Sequence, residues 1–550
     1  MKFVRRLQRQ KILFPCSAQN PVSQDGTIAL PRDPAGRSTT CADSVHSGNR
    51  IVVRLRRSTH GRIVNVWLVL IVILGAAIAL GDGLTRIPVL EREATWDQPF
   101  EYEPYLGAFL LAGITFPLMV VYSRKAKIHL TEGVFLWFVL CTTAYTRDFS
   151  YLRWPGAPVF VTDVVLLVLL LSTCVIQRHR NPRNPLSVNL CLAGFAAAGM
   201  LSTATGLWKH REVILILRDS TLIGYVLFLF VARNLLKTWQ SIKRIATWFV
   251  VGTALATLNG LGWFIAVPKE RRLIWYGIYI LVSLVGILLA IANELIRPLV
   301  GWSLAGLLSI GLLLANTRSL FVSLGIMLLL GLVMGRTAFN KIRYARLTAT
   351  VITAAAFAAF VALPFFCTQV GRGLITRSVQ GLASGVLHSN TDVYWQYRLL
   401  AWKEAWSRFE KAPLTGEGFG VPFVFELADV DVRPHNTFLT VLYKMGIIGF
   451  SPLLALLVCF FWHGLRAVRR NLNNKRVGWL QIMLLAQMAF CLYGSANLLL
   501  ESPFLASLFW AAIGLTLRMI RLLDGEHALR KSSQTALLAP LRQPLKEDLA

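Results

Sequence analysis

Long apolar blocks, separated by short polar stretches, organise most of this chain. Runs of about 18 or more apolar residues have the length to cross a bilayer core. In lipid only helices or closed barrels satisfy every backbone polar group. These blocks are too long and too continuously apolar for barrel strands, so the pattern predicts helices. It gives fourteen candidate spans, near 63–81, 105–122, 128–145, 158–176, 185–205, 212–232, 245–267, 273–292, 297–315, 318–335, 348–366, 437–462, 479–497 and 503–520. The fold expected is all-α, a polytopic bundle of about 12–14 spans with one long, partly helical outer loop.

The organisation expected is a disordered basic tail at 1–62, eleven spans over 63–366, an outer loop at 367–436, three spans over 437–520, and a tail at 521–550. Arg50, Arg54, Arg56, Arg57 and Arg62 precede the first span and set the N-terminus inside. Under that orientation the inner short loops carry more Lys and Arg than the outer ones. The first outer loop, 82–104, is instead rich in acids. Both termini are then cytoplasmic and the long loop is extracytoplasmic. A loop of that length is a natural home for chemistry. It holds a helical pattern from Tyr397 to Phe409 and a turn cluster from Pro413 to Gly420.

Composition sharpens this picture. The chain has 550 residues, 55% hydrophobic and 15% charged, with a net charge of +29. In a soluble protein that charge suggests nucleic acid. Here much of it sits in short inter-span loops, so no nucleic acid is expected as a partner and anionic membrane lipid is. Eight cysteines form no CxxC pair, and most lie in apolar blocks as small hydrophobes. No internal repeat is visible, which weighs against a secondary transporter.

Several polar residues stand out. His435, in Arg433-Pro-His-Asn-Thr-Phe-Leu439, sits at the mouth of a span, where an imidazole can take a proton near neutral pH or simply cap the helix. Arg318 heads the tenth span. Arg218 lies in the sixth span, seven residues beyond Arg211 and so about 10 Å along a helix. At that depth an arginine needs a wet cavity, an anion, or a partner such as Asp163; adjacent Asp219 points elsewhere on a helix and is a poor partner. Arg398, on the loop helix, suits diphosphate through its planar fork, or forms a surface ion pair with Glu404 or Glu410. Lys444 precedes Gly446 and Gly449, a spacing that predicts a helix break with Lys444 snorkelling or closing the site. The acidic pairs Glu101/Glu103 and Asp429/Asp431 have metal-binding spacing but read better as solvated carboxylates. Glu501 is a candidate partner for an arginine.

Taken in order, these segments resemble the O-antigen ligase and polymerase superfamily of membrane glycosyltransferases. The resemblance rests on Thr317-Arg318 opening a span, Arg398-Leu-Leu-Ala-Trp402, Pro413-Leu-Thr-Gly416 with Gly418-Phe-Gly420, Pro434-His-Asn-Thr-Phe-Leu439, Gly446-Ile-Ile-Gly449, and the stretch Asn497 to Pro503. It is most specific over about 310–450. It implies an undecaprenyl-type polyprenyl-diphosphate donor carrying a glycan, and a glycan or lipid A-core acceptor. The reaction implied is metal-independent and inverting, needs no cofactor, and occurs at the periplasmic face of a bacterial inner membrane. The products would be lipopolysaccharide or exopolysaccharide, with a polysaccharide chain-length regulator as a further partner. His435 and Arg318 would be catalytic; Arg218, Arg211, Arg398, Asn436 and Lys444 would bind substrate. The competing readings are a flippase or other transporter of lipid-linked glycan, and a metal-dependent transferase using one of the acidic pairs.

Overall fold

The computed structural model describes residues 66–85, 106–152, 159–176, 185–266, 277–315, 317–338, 345–353, 393–425 and 433–538. The first helix, α1, is Val66–Thr85. It is followed by α2 (Leu106–Lys125), α3 (Leu130–Tyr145), the short α4 (Arg147–Ser150), α5 (Val161–Ile176) and α6 (Leu186–Trp208). Next come α7 (Val213–Gly224), α8 (Leu227–Leu235), α9 (Trp239–Ala266), α10 (Ile278–Ala292), α11 (Pro298–Ala315) and α12 (Arg318–Ala338). The last four are α13 (Val393–Lys411), α14 (Thr437–Arg470), α15 (Val477–Gly494) and α16 (Pro503–Leu538).

Nine of the helical spans among the described residues are long and apolar enough to cross a bilayer, and four shorter apolar helices stand beside them. The chain is therefore an all-α, multi-pass membrane protein, as its apolar pattern predicts. Large apolar side chains such as Trp208, Val175, Leu186, Leu299 and Trp462 remain exposed, as expected of surfaces whose solvent is lipid. The basic segment 1–62, the greater part of the 348–366 block, and 367–392 lie outside the described residues, as do both acidic pairs.

Between lipid-embedded helices there is little hydrophobic drive, so close backbone approach and polar contacts matter more. Helices α1 and α9 show this: a Cβ on Gly83 would stand 2.2 Å from the Asn259 carbonyl oxygen. Asn259 in turn donates through Nδ2 to the Ala79 carbonyl at 2.9 Å and to Asp82 at 2.8 Å.

Two spans depart from simple helices. The span 213–235 is broken between α7 and α8, where the amides of Phe228 and Leu229 bond three residues back, to Tyr225 and Val226. This tighter winding turns the Tyr225 hydroxyl onto Asp163 at 2.8 Å. The second departure is inside α14, at Gly446, whose φ of 61° and ψ of −165° are not helical.

The bundle has two distinct ends. Along α16, Pro503 and Glu526 are about 35 Å apart at 1.5 Å per residue. At the Glu526 end, its carboxylate accepts from Trp239 Nε1 (2.8 Å) and Asn474 Nδ2 (3.0 Å) and pairs with Arg476. Arg466, Arg469 and Arg470 close α14 at this end, and Arg244 pairs with Glu132 at 2.9 Å. At the Pro503 end, the Tyr279 hydroxyl opening α10 donates to the Phe504 carbonyl at 2.5 Å. The candidate site lies at this second end.

Candidate functional site

The kink in α14 begins the site. A non-helical residue inside a helix frees backbone groups that lipid cannot satisfy. Here the turn after α13 satisfies them. The amides of Glu417 and Gly418 donate to the Tyr443 and Lys444 carbonyls at 2.8 and 3.0 Å. The amides of Ile447 and Ile448 donate to the Pro413 and Leu414 carbonyls at 2.9 and 3.1 Å. The turn is thus grafted into the helix break by its own backbone. Only glycine fits at the graft: a Cβ on Gly446 would stand 2.2 Å from the Leu414 oxygen, and one on Gly416 (φ 69°) 2.4 Å from the Lys444 carbonyl carbon. The Pro-to-Gly turn motif and the Gly446-Ile-Ile-Gly449 motif, separate in sequence, are two halves of one joint.

The joint carries the loop helix with it. Ala401 and Ala405 of α13 pack with Phe423, Phe425 and Tyr443 in a small separate core. Arg408 ties the segment after the turn to the helix. It donates to the Pro422 and Val424 carbonyls, both at 2.9 Å, pairs with Glu404 at 2.7 Å, and lies over the Phe423 ring.

Beneath the turn lies Asp219 of α7, fully buried. Its Oδ2 accepts from the Gly420 amide at 2.9 Å and from Lys444 Nζ. Its Oδ1 lies 3.7 Å from Arg218 Nε and 4.0 Å from Arg433 Nη2. Two expectations are corrected here. Arg218 pairs with its neighbour Asp219 and not with Asp163, which is engaged by Tyr225 and by the Phe160 amide at 3.0 Å. Lys444 does not snorkel: it is 2% exposed and turned inward, because the kink points it at a buried carboxylate. Arg211, in the α6–α7 turn, donates to the Phe419 carbonyl at 2.9 Å and so holds the same turn from its other side.

His435 lies just before α14, half-buried, in a left-handed conformation (φ 50°) that side chains other than glycine rarely adopt. Its flanks impose this geometry. The Pro434 carbonyl accepts from Trp402 Nε1 at 2.9 Å. Asn436 caps α14, its Oδ1 accepting from the amides of Phe438 and Leu439 at 3.1 Å each. Burial, followed by the charges of Arg398 and Arg433, pushes the imidazole down to about 4. It is therefore neutral, with a nitrogen able to accept a proton, across the physiological range.

The late polar stretch joins the corner together. Asn497 accepts from Arg398 Nη2 at 3.5 Å and donates to Ser319 Oγ at 3.3 Å. Arg398 thus faces Asn497 and not Glu404 or Glu410, which are held by Arg408 and Trp406. Glu501 accepts from Thr437 at 2.5 Å. Arg318 opens α12 beside Ser319, so its backbone belongs to this corner; its side chain is outside the described set. Four of the cations and the imidazole singled out in the sequence therefore share one end of the bundle with Arg318.

Sequence reasoning gave Arg433 no role of its own and set Asp219 aside as a poor partner for Arg218; the structure brings both into the site. Arg433 sits two residues before His435, and its Nη1 is buried with no hydrogen-bond partner. The signal was there in the Arg-Pro-His triplet, but nothing in the chain marks Asp219, more than two hundred residues earlier, as its counter-charge. All five described cysteines are free; Cys141 is buried and Cys174 exposed. Among the described residues no group of three or more His, Cys, Asp or Glu could hold a metal.

No curated protein matches the sequence. A family model does: residues 303–454, from α11 through the kink of α14, match the model described as O-Antigen ligase, and over that segment the chain is O-antigen ligase-like.

Proposed function

We propose that the chain transfers a glycan from a polyprenyl-diphosphate carrier to a sugar hydroxyl, at the periplasmic face of a bacterial inner membrane. The observation that carries the reading is the corner itself: a neutral, half-buried imidazole bracketed by Arg398 and Arg433, one contact shell from the start of α12. The family match spans Arg318, Arg398, His435, Asn436 and Lys444.

The chemistry needs two things. An acceptor hydroxyl is a weak nucleophile, and a base that takes its proton as the bond forms helps by ~10²–10⁴-fold. We assign that role to His435, supported by its neutral imidazole at the mouth of α14. As the acceptor oxygen bonds to the anomeric carbon, the bond from that carbon to the diphosphate oxygen breaks. Charge then builds on the diphosphate, where fixed guanidiniums stabilise it. Arg318, Arg398 and Arg433 supply that charge, with Arg218 and Arg211 holding the floor and the turn. A single displacement inverts the anomeric centre, and permanent cations do the work a metal would otherwise do. The crowding of Lys and Arg at the Glu526 end supports a cytoplasmic assignment for that end and a periplasmic one for the site. Acceptors are lipid A-core sugar, for a ligase, or another lipid-linked repeat, for a polymerase; a chain-length regulator would accompany the latter.

The test is the purified full chain in liposomes with a polyprenyl-diphosphate-linked oligosaccharide and a core-sugar acceptor, with and without EDTA. Transfer that survives chelator is expected. Donor moved across the bilayer with no transfer would favour a flippase, and activity lost in EDTA and restored by a divalent ion would overturn the arginine mechanism. Glycan analysis of a deletion strain separates the sub-readings. Single repeats left on the core indicate a polymerase, and accumulated lipid-linked polymer a ligase.

A further inference from the structure

Helices α8 and α16 run together toward the opposite end of the bundle, and partway along α16 they are so close that a Cβ on Gly514 would stand 2.2 Å from the Leu229 carbonyl oxygen. The contact brings together three arginines: Arg233 in the last turn of α8, and Arg518 and Arg521 one turn apart on α16. The charges of Arg521 and Arg518 both bear on Arg233. Arg518 has an evident task, capping α8 by donating to the Leu236 and Lys237 carbonyls at 3.1 and 2.9 Å. Arg233 is 6% exposed and lies over the Phe230 ring, with only the side chain of adjacent Asn234 in reach, at 3.4 Å. Arg521 has no such task. Its Nη1 and Nη2 are both buried without a hydrogen-bond partner.

Among the described residues no carboxylate comes within ion-pairing distance of any of the three. The nearby acid Glu526 is taken by Arg476, Trp239 and Asn474. Arg233 is buried, and so are the Nη atoms of the otherwise half-buried Arg521; like charges shielded in this way are destabilising unless something supplies a counter-ion. Arg521 lies about 27 Å along α16 from Pro503, close to the thickness of a bilayer's hydrocarbon core, so the cluster sits near headgroup level. Guanidinium forks match phosphate oxygens.

We propose that Arg233, Arg518 and Arg521 form a binding site for a phosphate group, supplied by an anionic phospholipid headgroup, at the end of the bundle remote from the transfer site. Lipid acyl chains would lie along the exposed apolar flank of the bundle while the phosphate enters the cluster. Basic pockets between transmembrane helices are chemically suited to such headgroups.

The test uses the purified full chain in detergent. Melting is followed while phosphatidylglycerol, diacylglycerol or inorganic phosphate is titrated at constant ionic strength. Phosphatidylglycerol should raise the Tm and diacylglycerol should not. Arg521→Gln should weaken the phosphatidylglycerol effect about tenfold, the loss of one charge-assisted contact, and Arg233→Gln should do the same. Stabilisation by inorganic phosphate equal to that by the lipid would support the phosphate site and reject the headgroup as its source. Equal effects of phosphatidylglycerol and diacylglycerol on the unaltered protein would overturn the proposal. So would a folded Arg521→Gln protein that binds the lipid as tightly as the parent.

Discussion

Two charged clusters lie side by side at one end of the bundle, and they are built on opposite plans. Around Asp219 the charges are closed on themselves: a fully buried carboxylate receives Lys444 and the Gly420 amide, with Arg218 and Arg433 drawn up behind. Around His435 they are open: a half-buried imidazole faces Arg398 and Arg433, and burial with those like-signed neighbours keeps it neutral. The first cluster locks α7, the loop turn and α14 together. The second is held in a strained backbone and left accessible. Arg433 belongs to both, so the two clusters share a side chain. In this corner, buried pairing builds the frame, and under the proposed function the incomplete pairing is what leaves groups for a substrate.

That contrast can be broken from either side. The largest effect on folding is expected from Asp219→Ala, which strands Lys444 and Arg433 in the interior. Loss of one partner of a buried pair costs ~3–5 kcal/mol, so expression and Tm of the detergent-solubilised protein should fall sharply. A variant that melts like the parent would show the cluster to be dispensable. Next comes Gly446→Ala, where a methyl meets the Leu414 carbonyl in a backbone conformation alanine resists; ~1–3 kcal/mol of strain is expected. Limited proteolysis should then cut first within 393–425, as the grafted turn releases.

Arg318→Lys tests the open side. Lysine keeps the charge and loses the fork, so transfer should drop at least about tenfold, the scale of one charged hydrogen bond, with no change in Tm. Full activity with lysine would rule out a paired diphosphate contact at this position. The smallest effect is on pH dependence. With its folded-state value near 4, below the usual 6.5, His435 contributes stability lost as pH falls from 6.5 toward 4, because the unfolded chain takes up the proton first. The acid limb of kcat/KM should accordingly fall near pH 4 and not near 6.5. A limb at 6.5 would mean that the imidazole is solvated in the free enzyme.

Much of this was legible in the chain because lipid makes strict demands. Apolar blocks of bilayer length can be little else than helices, and α1 to α3, α5, α6, α9 to α12 and α14 to α16 stand where the blocks are. The break between α7 and α8 was not legible: Tyr225 is an ordinary apolar-block residue until Asp163, from another helix, accepts its hydroxyl. The corner was half legible. His435, Arg398 and Lys444 announce themselves as polar residues beside apolar runs. Their partners do not, because a pair such as Asp219 and Lys444 is defined by a kink and a graft made through backbone atoms, which carry no sequence signature beyond Gly416 and Gly446. Arg218 and Asp219 meet, against their helical spacing, for a related reason. Side chains that diverge at the backbone can still approach when other groups hold one of them.

The most direct measurement is transfer by His435→Ala in the liposome assay, with melting followed on the same preparation. Transfer should fall by ~10²-fold or more while Tm stays within a degree or two of the parent. Transfer within about twofold of the parent, from a protein that melts normally, would contradict the assignment of the imidazole as the base.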